Sequence, residues 1–204
     1  MLMSFSLTGL ESPLPCLLVT YAREAHLRLA ERPITRREPM LALLLTVTAG
    51  EAVVNRLLEP LVSEQDWGKL ERRGSAQKWV RLADELGLVG QIAEGNDPLA
   101  GFLKVVAARH SIVHFKHGPN LQSLTATPLE VVPGQAITVS MSELKPQVLG
   151  MAEDALDRTK ATLYYPSLEK LVRRVLDAYE VKQPGIVLML RNALDGKVNE
   201  MPMR

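Results

Sequence analysis

The sequence predicts an all-α fold, a helical bundle in one domain, and three observations predict it. A nearly continuous apolar run follows Glu38 and Pro39, too long for a strand and suited to a central helix. Two later segments carry helix punctuation at both ends: Ser75 to Gly87, and Asp97-Pro98 to Gly118-Pro119. β-Branched stretches beside a turn occur only within residues 123–141. With 204 residues, 47% hydrophobic and 23% charged, the chain has the size and composition for a single buried core.

Taken in order, residues 17–31 alternate apolar and charged side chains at helical spacing and predict an outer helix. Glu38 reads as an N-cap with Pro39 at the first helical position, where a missing N–H costs nothing. Residues 40–58 are apolar nearly all round, and Pro60 stands near their end. A second helix runs from Ser75, its N-cap, to Leu86, and Gly87 stops it. The third opens at Asp97 and Pro98, continues to Lys116, and is closed by Gly118-Pro119. After it, Pro133-Gly134 sits between Glu130-Val-Val and Ala136-Ile-Thr-Val, which predicts a small β-hairpin or an irregular insertion. Residues 146–158 and 166–180 read as helices packing on a core of about 17–117, with Leu168, Leu171, Val172, Val175 and Leu176 along one face. No repeat divides the chain, so residues 1–204 form a single domain.

Charge and cysteine content narrow the function. Twenty-four basic residues oppose 23 acidic ones, so any nucleic-acid contact must come from a local patch. Cys16 is the one cysteine and cannot form an internal disulfide. The uncharged run between Glu38 and Glu51 is shorter than the roughly 20 residues of a membrane helix. No basic residue precedes the N-terminal apolar stretch, which carries Glu11, Pro13 and Pro15, unlike a secretory signal. The expectation is a cytoplasmic protein with no membrane partner.

The third helix carries the chemistry. Arg109 and His114 are five residues apart and project about 140° from one another, on opposite shoulders of a stripe formed by Leu99, Phe102, Val106 and Val113. A guanidinium offers a fork of donors matched to phosphate oxygens, and an imidazole moves protons near neutral pH. Together they neutralise charge and transfer protons, two requirements of RNA cleavage through the ribose 2′-hydroxyl. His110, His114 and His117 also share one face within about 60°, but three ligands on one straight helix rarely converge on an ion, so no metal is expected. Residues 69–81 hold Lys69, Arg72, Arg73, Lys78 and Arg81 against the single Glu71. Such a run, with Lys116 beyond it, either follows an RNA backbone or forms a solvated face. Trp67 stands just before the run and Trp79 near its end, and Trp79 is expected in the core. Ser111 is expected to pack rather than act as a nucleophile. Glu51, a carboxylate in an apolar helix, is costly unless paired, and Arg109 is the economical partner.

Arg109-His110-Ser111-Ile112-Val113-His114, followed by Phe115, resembles the signature of the HEPN superfamily: Arg, a polar residue, three variable residues, then His near a helix end. Ala49-Gly-Glu51-Ala-Val-Val-Asn55 resembles the family's first core helix, and Lys78-Trp79 to Leu86-Gly87 the segment that follows; the resemblance covers roughly residues 39–117. It implies an all-α bundle and, in many members, a metal-independent endoribonuclease, often dimeric and often a toxin or a defence component. Other members are non-catalytic nucleotide-binding, RNA-binding or protein-assembly modules. Carried over, Arg109 holds the scissile phosphate, His114 is the general acid or base, and His110 positions it. The implied partners are RNA or a nucleotide, a second copy of the chain, and an antitoxin or another protein, with no cofactor.

Overall fold

The computed structural model describes residues 14–31, 37–113, 157–179 and 184–197. The elements are α1 (Leu14–Glu31), α2 (Arg37–Leu58), a 3₁₀ turn (Glu59–Leu61), α3 (Glu64–Leu70), α4 (Ser75–Glu85), α5 (Leu99–Val113), α6 (Arg158–Ala161), α7 (Tyr164–Tyr179) and α8 (Pro184–Asp195). Among the described residues there is no strand, and the all-α expectation holds. The expected hairpin at 123–141, the end of the third helix at Lys116, the Gly118-Pro119 stop and residues 146–156 lie outside the described residues.

α2 is the element around which the others pack: α1, α4, α5 and α7 all contact it. Gly50 makes the closest of these approaches. A Cβ there would lie 2.3 Å from the Phe102 ring and 3.1 Å from a Leu168 methyl, so only glycine lets α5 and α7 close on α2 at this level. Toward its C-terminal end α2 buries Val53, Val54, Leu57 and Leu58 in the main core with Trp79, whose ring meets Phe102 edge-on at 6.2 Å. Toward its start, Ala42, Leu43 and Val47 join Ala25, Leu29, Val105 and Tyr164 in a second cluster.

α2 is not surrounded, however. Met40, Leu41 and Leu44 are exposed, so its all-round apolar character exceeds what the bundle covers. The helix also runs on past Glu51, where the apolar run in the sequence stops. Over Glu38–Leu61 it is long and apolar enough to cross a membrane by length and composition alone, with 56% of that window buried in the bundle.

The helix ends correct several sequence expectations. α2 already includes Glu38 and Pro39 in its first turn, so Glu38 is not the cap. Gly74, not Ser75, occupies the N-cap of α4, and the Ser75 hydroxyl is buried among the described residues without a hydrogen-bond partner. The predicted stop at Gly87 is present as a Schellman turn: φ is +69°, Leu88 N donates to Ala83 O at 2.8 Å, and Gly87 N donates to Asp84 O at 3.1 Å. α5 begins at Leu99, so Asp97 lies one residue before the cap position, yet its carboxylate still accepts from the Gly101 N–H. Residues 146–158 were expected as one helix; instead Asp157 is extended and caps α6, accepting from Thr159 N and Lys160 N at 2.8 and 3.2 Å.

α7 starts at Tyr164, and Leu168, Leu171, Val172, Val175 and Leu176 are all buried, as their spacing predicts. Two elements were not anticipated. α3 is nucleated by Ser63, whose hydroxyl accepts from Asp66 N at 3.1 Å and donates to the Asp66 carboxylate at 2.9 Å. α8 buries Ile186, Val187, Leu190, Ala193 and Leu194, a helical spacing that Pro184 opens.

Candidate functional site

On α5 the buried stripe is Leu99, Phe102 and Val105, because the helix packs against both α2 and α7. Arg109 continues that stripe one turn further, with half-buried Val106 and Ile112 around it. It therefore occupies a core-facing position where the bundle's second cluster ends, rather than a shoulder of the stripe. It is half-buried, and no hydrogen bond or ion pair ties it to another described residue. A guanidinium offers a planar fork of donors suited to an anion, and no described residue engages the one on Arg109.

His110, the next residue, is exposed. The Ser111 hydroxyl donates to Ala108 O at 2.7 Å, which agrees with a packing role. His114, Lys116 and His117 lie outside the described residues. Among the described residues, no group of three or more His, Cys, Asp or Glu is placed to hold a metal.

Glu51 is exposed. It follows Gly50, which faces Phe102, seven residues and about 10 Å along α5 from Arg109. Because its carboxylate stays in water, the desolvation penalty that would demand Arg109 as a partner is absent. That pairing is corrected.

The basic run from Lys69 to Arg81 does not form one surface. Lys78 is buried, donates from Nζ to Asn55 Oδ1 at 2.9 Å, and lies 5.8 Å from the centre of the Trp67 ring. It braces α4 against α2 and is not available to a phosphate, which corrects the expectation for that residue. Arg81 pairs with Glu85, and Lys69 approaches Asp66 at 3.8 Å. Arg72 and Arg73 are exposed in the α3–α4 turn. Trp79 is fully buried, as expected. This basic turn adjoins the Asn55 end of α2, whereas Ala108 and Ile112 beside Arg109 pack near Ala42 and Leu43. From Leu43 to Asn55 is about 18 Å along the helix, so the two cationic features stand at opposite ends of α2.

A polar junction went unread in the sequence. His26 of α1 stacks on Tyr165 of α7, centroids 5.7 Å apart, and its Nδ1 is buried with no hydrogen-bond partner among the described residues. Burial lowers the imidazole pKa; the Glu169 carboxylate opposes this, and the Arg23 guanidinium adds to it. The Tyr165 hydroxyl donates to Leu194 O at 3.5 Å, and burial raises its pKa. Arg173 donates to Glu169 at 2.8 Å and to Asp195 of α8 at 2.7 Å, and these bonds hold the Asp195 carboxyl below its ordinary value. The available signal was Tyr165, Glu169 and Arg173 at four-residue spacing on one helix face.

Fold and site together define an all-α helical bundle with a half-buried arginine at one end of its core. No family model, no curated protein and no solved structure matches the chain.

Proposed function

We propose that the chain is an HEPN-like, metal-independent endoribonuclease that cuts RNA through the ribose 2′-hydroxyl, acting as a toxin or defence component. Arg109 is the observation that carries it: a core-facing, half-buried guanidinium with no described partner, at the start of the Arg-polar-x₃-His sequence. In this mechanism Arg109 neutralises the scissile phosphate. His114 takes the proton from the 2′-hydroxyl or returns one to the leaving 5′-oxygen, and His110 positions it. A second copy of α5, supplied by a homodimer, completes the site with the other acid–base group. The exposed cations Lys69, Arg72 and Arg73 hold the RNA strand away from the cut, while Arg81 is engaged by Glu85.

The test is cleavage of RNA by the purified protein in EDTA. His114→Ala and Arg109→Ala should each lower the rate by about 10²–10⁴-fold, and the products should end in 2′,3′-cyclic phosphate. Unchanged cleavage in both variants overturns the assignment, and 3′-hydroxyl ends overturn the mechanism. One observation favours a second reading, a non-catalytic nucleotide- or RNA-binding or assembly module. Glu51 stands two turns from Arg109 and leaves the guanidinium without the carboxylate expected beside it. Stoichiometric RNA binding without turnover, lost in Arg109→Ala, would select that reading.

A further inference from the structure

We draw no further inference here: the strongest candidate, the exposed apolar face that Met40, Leu41 and Leu44 form at the start of α2, carries none, because nothing in the structure shows what covers it.

Discussion

Of the five basic residues between Lys69 and Arg81, Lys78 shows best why charge counted along a sequence misleads about partners. Its position was legible as basic, but its direction was set by helix packing. α4 lies against the C-terminal half of α2, and Asn55 Oδ1 receives Nζ at 2.9 Å while the Trp67 ring sits within 5.8 Å. An ammonium held this way has given up much of its hydration and contributes to stability rather than to binding. Lys78→Met should therefore cost about 1 kcal/mol of folding stability, the price of leaving Asn55 half-paired, and should not weaken RNA binding by folded protein. Arg72→Glu with Arg73→Glu should do the reverse, moving the melting transition by less than about 0.5 kcal/mol while reducing RNA affinity, since both side chains are exposed. Thermal melts beside filter-binding titrations of the same samples check both halves. If Lys78→Met lost RNA affinity at unchanged stability, the internal role would be wrong.

At the scale of elements, what the sequence made legible was periodicity and strong punctuation. The buried face of α7 and the Gly87 stop are read directly from residue types whose physics is local. α3 was missed because it is only about two turns long, held by Ser63 and Asp66 and too brief to show a period. Ser75 was misread because the residue before it, Gly74, already adopts the extended cap conformation. The α1–α7–α8 junction was missed because its members come from three distant segments. That junction predicts a pH dependence. In the unfolded chain His26 titrates near its ordinary 6.5, whereas burial holds it lower in the bundle. Below 6.5 the unfolded state therefore binds a proton that the folded state does not, so stability falls as pH drops through this window and the effect vanishes above it. Around the ring stand Arg23 on α1, Tyr165, Glu169 and Arg173 on α7, and Asp195 on α8; Glu169 partly offsets the loss. Denaturant midpoints measured across this window should rise with pH, and His26→Phe, which keeps the stack on Tyr165, should flatten the rise. An equal slope in the variant would place the dependence on other groups.

For the whole molecule, a formal net charge of +1 leaves no long-range field to gather RNA, so affinity must come from counted local contacts. The cations proposed for such contacts form two groups. Lys69, Arg72 and Arg73 surround the α3–α4 turn near the Asn55 end of α2, and Arg109 stands by the cluster at the Leu43 end. An RNA strand held by both groups would neutralise about four phosphates, and each contact to single-stranded nucleic acid contributes a slope of about −0.7 in log affinity against log salt. The full chain should show a slope of about −3. Arg72→Glu with Arg73→Glu should bring it to about −1.4 or shallower, and Arg109→Ala should remove one step of about 0.7. Because the two groups sit on different elements, their effects on the slope should add, whereas a single compact site would lose most of its binding with either change. Titrations at a series of potassium chloride concentrations measure this directly. A slope near zero in the unaltered protein would remove RNA from its partners, and a slope indifferent to Arg109 would separate the guanidinium from the strand that the basic turn holds.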